Sequence, residues 1–306
     1  MNNKIILLVK WAIGLSILFT LIYKLDINQI LATLMNAKPI IILLAFAYVF
    51  VAYFINAYNY KIILDAMNVR LKFSKIAWNY MISWSLGRFT PGRLGEFGII
   101  RLLEQEKIKK GKGASLIVID KFISLITLIS VSSIGFFIFF EFNTAIKLII
   151  VCLIILIILL LSLRLSYVRD FIKKAILKEK AKDFEGFYKN IVYVIKAKKM
   201  ALFADFIVTL IRLGLGGIVI YILFMYFNII IPIPTIIAIT SIGVLLALIP
   251  VSIAGLGVTE ASVIYLYSLI GVDIVIAGTI YLLIRAMGFL WAIIILSISS
   301  KRLLKL

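Results

Sequence analysis

The sequence predicts an all-α polytopic membrane protein with about six full transmembrane helices and two re-entrant or broken helical segments, arranged as an inverted repeat. Three observations carry this prediction. Of 306 residues, 64% are apolar, against roughly 45–50% in soluble domains. Apolar stretches of about 20 residues, the length that crosses a bilayer, recur along nearly the whole chain. Two further apolar stretches are interrupted near their middles by Pro and Gly.

Windows of about 19 residues place full spans near 5–23, 39–60, 113–140, 145–163, 200–227 and 274–299. No small-residue cleavage site follows the first span, so it reads as a retained helix rather than a signal peptide. The interrupted stretches are 76–103 and 235–272. Lipid cannot satisfy the backbone groups that such interruptions free, so these segments need cover from protein or a wet cavity. Trp78, Tyr80 and Trp84 suit an aromatic belt at the membrane interface. The whole chain, 1–306, reads as one membrane domain, with halves of approximately 1–140 and 145–306. Each half runs span, span, interrupted segment, span, and three full spans before the second half turn its copy upside down.

Charge sets the expected orientation. With the N- and C-termini inside, the pieces 1–4, 61–75, 101–112, 164–199 and 300–306 carry 24 of the 33 basic residues. The outer loops hold only Lys24, Lys38 and Lys147. Such asymmetry is the positive-inside signature of a multi-pass cell-membrane protein, and it accounts for a net charge of +19 without nucleic acid as a partner. The basic loop 164–199 places Phe184, Phe187, Tyr188, Ile191 and Ile195 at helical spacing among lysines, the pattern of an amphipathic helix on an anionic leaflet.

The chain has no His and one Cys, which removes imidazole catalysis, His-ligated metals and disulfides. Cys152 lies in an unbroken apolar run and reads as a small hydrophobe. No catalytic set, metal site or cofactor motif emerges, and an enzyme is not expected. No Gly-x4-Gly-Lys-Ser/Thr phosphate loop is present either.

Ionisable residues inside apolar spans cost roughly 2.5–3.5 kcal/mol each on insertion scales and face a partner or a cavity. Asp205, Arg212 and Arg285 occupy such positions, as do Asp120 and Lys121. Glu96 and Glu260 lie on the interrupted segments, beside Arg88 and Arg93. Glu96 and Glu260 are each followed 25 positions later by a cation, Lys121 and Arg285. Asp205 and Arg212, seven residues apart, share a helix face. Two readings stand side by side. One is structural pairing of Glu96 with Lys121, Glu260 with Arg285, and Asp205 with Arg212. The other is a polar cleft in which Arg93, Arg212 and Arg285 hold a lipid phosphate by forked, permanently charged donors. In that cleft Glu96, Asp120, Lys121, Asp205 and Glu260 would orient the arginines or meet a head group. Pro91, Gly92, Gly95, Gly255 and Gly257 would let backbone approach it.

The run Thr90-Pro91-Gly92-Arg93-Leu94-Gly95-Glu96 resembles the Pro-Gly-basic-x-Gly signature of the lysylphosphatidylglycerol synthase transmembrane-region, or flippase-like domain, family. Ala254-Gly255-Leu256-Gly257-Val258-Thr259-Glu260 is similar to that family's Gly-Leu-Gly-x-x-Glu element. Between them, Asp120-Lys121 stands where members often show Glu-Arg. The resemblance spans essentially the whole chain. It implies a stand-alone unit, without the soluble synthase or a glycosyltransferase domain, that moves an anionic or phosphate-bearing lipid between leaflets. The expected partners are a membrane phospholipid or polyprenyl-linked lipid, and a separate lipid synthase or glycosyltransferase. The alternatives are a non-transporting scaffold for such an enzyme and an intramembrane lipid enzyme.

Overall fold

The computed structural model describes residues 3–36, 38–90, 92–164, 184–248 and 251–303. Pro91, Pro250 and residues 165–183 of the basic loop lie outside the described residues. The elements are helical: α1 (Asn3–Leu25), α2 (Ile27–Met35), α3 (Pro39–Ala66), α4 (Phe73–Arg88), a 3-10 turn (Leu94–Gly98), α5 (Ile99–Gln105), α6 (Lys110–Phe139) and α7 (Phe142–Arg164). After the basic loop come α8 (Phe187–Ala197), α9 (Lys199–Tyr226), α10 (Ile233–Ala247), α11 (Val258–Leu269), α12 (Ile274–Ile298) and α13 (Ser300–Leu303).

Five of these helices, α3, α6, α7, α9 and α12, are long and apolar enough to cross a bilayer. Counted as one span, the bent pair α1–α2 adds a sixth. The chain is thus an all-α polytopic membrane protein. The bend in that pair, 74°, falls at Asp26. Asp26 adopts a left-handed φ of 59° and caps α2 by accepting the Asn28 N–H at 3.0 Å. Helix α7 shows most directly what surrounds the molecule. Its best window has a mean hydropathy of 3.2 and only 11% of it is buried within the protein, so a face of Ile150, Leu153, Ile154 and Ile157 must be solvated by lipid.

The two interrupted stretches are helical hairpins with short arms. At 1.5 Å per residue α4 is about 24 Å long and α10 about 22 Å, short of the roughly 30 Å hydrocarbon core. The first hairpin returns to the end of the bundle where it began. Lys75, at the start of α4, is bonded to Glu106, just past α5, at 2.5 Å. The second hairpin opens toward the opposite end, where Pro232 and Thr235 before and in α10 line one cavity with Ile270, Gly271 and Asp273 after α11. Lys38, Asn36 and Tyr226 meet at that same far end through the Tyr226 hydroxyl.

Each hairpin sits in its own apolar cluster. One holds Tyr80, Ile82, Ile99 and Leu102 from α4 and α5, with Tyr60, Leu116 and Val194 from α3, α6 and α8. The other holds Ile236, Ile239, Val263 and Tyr267 from α10 and α11, with Ile41, Phe136 and Phe224. Helix α12 runs through both, and its Met287 packs against each. Of the expected amphipathic stretch, α8 turns part of its apolar stripe onto protein. Its Ile191 and Val194 are buried against α6 and α9, and Ser115 of α6 donates to the Phe187 carbonyl at 2.9 Å. An apolar stripe that finds a protein partner is withdrawn from the leaflet.

A network at the basic end fastens the chain's last helix. Glu106 accepts hydrogen bonds from Lys75 at 2.5 Å and from Arg302 at 2.6 Å. Burial alone would raise the Glu106 carboxyl, but these bonds and charges outweigh it and hold the group below its ordinary value. A carboxylate lowered in the folded state contributes stability above its unfolded pKa, and the contribution is lost as pH falls through the folded one. The contact between α13 and α5 is therefore expected to hold at neutral pH and loosen below about pH 4.3, the ordinary Glu value. Amide-exchange protection at 299–303, followed toward acid pH, checks this. Glu106→Gln should remove the pH dependence at a cost of at most about 1 kcal/mol.

Candidate functional site

The first interruption is closed by Thr90. Its hydroxyl oxygen accepts the Gly95 N–H at 2.6 Å while the hydroxyl donates back to Leu86 at 3.2 Å. Gly92 and Arg93 both carry left-handed φ values, 56° and 57°. For Arg93 that conformation costs about 1–2 kcal/mol. The turn lays Gly95 directly on the Leu86 carbonyl, where no Cβ would fit. Its product is the placement of Glu96, 4% exposed, in a notch left by Gly87, whose missing Cβ makes room for the Glu96 side chain. There Lys121 from α6 forms a tight ion pair with Glu96, and Arg93 stands at 3.8 Å.

The second interruption delivers Glu260 in a related way. Ala254, Gly255 and Gly257 are left-handed, at 49°, 72° and 78°. Glu260, 2% exposed, folds back to accept the Gly257 N–H at 2.9 Å, capping α11. Arg285 from α12 reaches it with Nε and Nη2, each at 2.5 Å, and spans on to the Ala254 carbonyl at 3.4 Å. One arginine thus ties the loop and the helix that follows it to α12.

Arg88, which spacing and hydropathy had not singled out, stands where these two constructions meet. It ends α4, and Arg93, Arg285, Glu96 and Glu260 all lie within its electrostatic reach. Its guanidinium stacks over Trp84 at 3.9 Å and lies 5.5 Å from the Phe289 ring. It presses against Gly288 of α12, where a Cβ would collide with it. Neither carboxylate is bonded to it: its Nε and Nη1 are buried with no hydrogen-bond partner. The signal available in the sequence was its position, one turn before a Pro-Gly break and on the same element as Arg93. Four cations, Arg88, Arg93, Lys121 and Arg285, stand around Glu96 and Glu260, with Asp120 4.0 Å from Lys121, and among the described residues Arg88 is hydrogen-bonded to no carboxylate. Forked, permanently charged guanidinium groups of this kind suit phosphate or carboxylate oxygens.

The structure separates two of the expected site residues from this cluster. Along α9, Arg212 falls between Phe206, packed on the first apolar cluster, and Ile220, in the second. Asp205 does not pair with it: both carboxylate oxygens of Asp205 lack a hydrogen-bond partner. Seven residues on one face are about 10.5 Å apart along the axis, beyond the reach of an Asp. Asp120, 6% exposed, has Lys121 at 4.0 Å, but that lysine is engaged with Glu96.

The glycines serve chain packing more than an open approach. Gly95 rests on Leu86, a Cβ added at Gly255 would lie 2.5 Å from Ala247, and one added at Gly257 would lie 2.9 Å from the Gly14 carbonyl and Ile17. The space above them is filled by protein. Gly92 sits in the turn beside Arg93, and Pro91 lies outside the described residues. Among the described residues no group of three or more His, Cys, Asp or Glu could hold a metal ion.

No curated protein matches this chain. A sequence model described as the lysylphosphatidylglycerol synthase TM region matches residues 7–297. That match runs from within α1 to within α12 and includes both interruptions, Arg88, Arg93, Glu96, Lys121, Glu260 and Arg285. The chain belongs to the lysylphosphatidylglycerol synthase TM region family.

Proposed function

We infer that this protein is a flippase-like carrier that moves an anionic, phosphate-bearing lipid between the leaflets of the cell membrane. The observation that carries the reading is Arg88, a guanidinium buried without an anion between two fixed ion pairs. A phosphate monoester or diester accepts forked donors with full charge, and in a lipid-facing protein the abundant source of that group is a head group. Aminoacylated and polyprenyl-linked lipids share the chemistry. Arg88 and Arg93 would bind the phosphate; Arg285 would hold the loop that faces it. The carrier makes and breaks no covalent bond, so it is not an enzyme in this reading.

The hairpin geometry supports an inverted-repeat mechanism. The first hairpin opens toward the basic end of the bundle and the second toward the other end, as paired re-entrant segments do in transporters of that plan. With the basic end cytoplasmic, both termini lie inside, and rocking of one half against the other would expose Arg88 to each leaflet in turn.

The test is the lipid that copurifies with the wild type and with Arg88→Ala and Arg93→Ala in mild detergent, identified by mass spectrometry. Charged hydrogen bonds contribute about 1.5–3 kcal/mol, so each variant should hold its lipid roughly tenfold or more weakly. One phosphate-bearing class enriched on the wild type and lost from both variants is expected. It then becomes the substrate for movement assays in vesicles. Bulk lipid in equal proportion on all three proteins would overturn the reading.

A further inference from the structure

A second buried polar group lies between α3, α4, α6 and α9, and it is short of hydrogen-bond donors. Asp205 of α9 is 1% exposed, and neither carboxylate oxygen has a partner. Asn59 of α3, also 1% exposed, donates its Nδ2 to the Thr209 hydroxyl at 3.0 Å. Thr209 lies one turn along α9 from Asp205, so the amide faces the same stripe, and its Oδ1 is unpartnered too. Asp120 of α6 is near enough for its charge to act on Asp205, and Tyr60 of α3 feels both carboxylates.

The cations nearby do not make up the deficit. Arg212 acts electrostatically on both carboxylates but hydrogen-bonds to neither, and its own Nε is a buried donor that reaches no acceptor. Lys121 is committed to Glu96. The other titratable groups around the site are Tyr80 of α4, Glu96 of the 3-10 turn, and Tyr48 of α3 beside Arg212. Helices α8 and α12, which also pack on α9, contribute none of the charges that act on Asp205.

Acceptors gathered out of water without a donor are costly. An unpaired buried carboxylate is strongly destabilising, and each orphaned acceptor adds to that cost. A positive species that bonds to oxygen removes both costs. Two carboxylates, an amide oxygen and a hydroxyl are too few for Ca²⁺ or Mg²⁺, which take about six oxygens or more. Two interacting carboxylates give up their protons in two steps that belong to the pair, and like charge out of water disfavours the second step. We propose that Asp205 and Asp120 jointly bind one exchangeable proton, whose O–H serves the neighbouring oxygen acceptors. Binding moves a proton from water to a carboxylate oxygen and needs no other reactant. It also gives a membrane unit without a nucleotide-binding loop a means to respond to a proton gradient. The site stands independently of the lipid reading.

Infrared spectroscopy of the full chain in lipid nanodiscs tests this. At neutral pH the wild type should show the C=O stretch of a buried carboxylic acid, shifted down in heavy water. Asp205→Asn should lose that band, and Asp120→Asn should shift it by removing the second acceptor. Absence of the band from folded wild type would overturn the proposal, since Asp205 would then be ionised. A band unchanged by Asp120→Asn would overturn joint binding. Exchanging choline for sodium at fixed pH should leave the band in place; its loss would identify an alkali cation as the occupant and overturn the proton. The wild-type arms decide the matter even if Asp205→Asn does not fold. Failure of lipid movement in vesicles with the band intact would count against the transport reading alone.

Discussion

Arg285→Ala is expected to lower stability by about 3–5 kcal/mol, the cost of leaving a buried charge without its partner. Glu260 is 2% exposed, and Arg285 supplies it with two contacts at 2.5 Å. Only the Gly257 N–H would remain to it. The variant should show a much reduced thermal midpoint in detergent. Because most of the loss is the stranded carboxylate, Arg285→Ala combined with Glu260→Gln should recover most of it. The amide keeps an oxygen for the Gly257 N–H and carries no charge. If the double variant is as unstable as the single one, the arginine's bond to the Ala254 carbonyl and its packing carry the energy instead. Arg93→Ala is the contrast. Its side chain is 41% exposed and stands 3.8 Å from Glu96, so its loss should cost at most about 1 kcal/mol. A lipid-binding defect in Arg93→Ala can therefore be read as a binding effect, whereas one in Arg285→Ala cannot.

The ion pairs were legible in the sequence for a reason that does not extend to the rest of the site. Glu96 to Lys121 and Glu260 to Arg285 share a spacing of 25 residues. Each pair joins a broken segment to the helix that follows it, so the chain's own connectivity brings the partners together. Span positions were readable because a membrane imposes length and hydropathy directly on each helix. Asp205 and Arg212 look paired on a helical wheel, yet a wheel discards the axial distance that separates them. Arg88 stayed hidden because its setting comes from elements far apart in sequence. Trp84 lies beneath it, Gly288 and Phe289 of α12 stand against it, and Glu260 is drawn near by a different loop. The glycines misled in an informative way. A glycine beside a break signals close approach, but the sequence does not say of what. Here the neighbour of Gly95 is α4 and that of Gly257 is α1.

Gly257→Ala is the second substitution expected to have a large effect, and Gly271→Ala is its built-in control. The two glycines have nearly the same backbone, with φ of 78° and 77°. An alanine at either position bears the left-handed penalty of about 1–2 kcal/mol. At Gly271 nothing lies within 4 Å of the added Cβ, so that penalty is the whole effect. At Gly257 the Cβ meets the Gly14 carbonyl and Ile17 at 2.9 Å. These atoms belong to the middle of α1, whose contacts with the rest of the protein run chiefly through α11, α2 and α12. Overpacking adds about 1–3 kcal/mol, and relief can come only by moving α1 or the loop. The loop is not free to move, since Glu260 and Arg285 hold it from the other side. The strain should therefore fall on α1. Gly257→Ala should lose at least twice the stability that Gly271→Ala loses in thermal unfolding. Protease sensitivity or amide exchange should rise first along 9–25. Equal losses in the two variants would mean that α1 yields at no cost, and that the second loop is held by its ion pair alone.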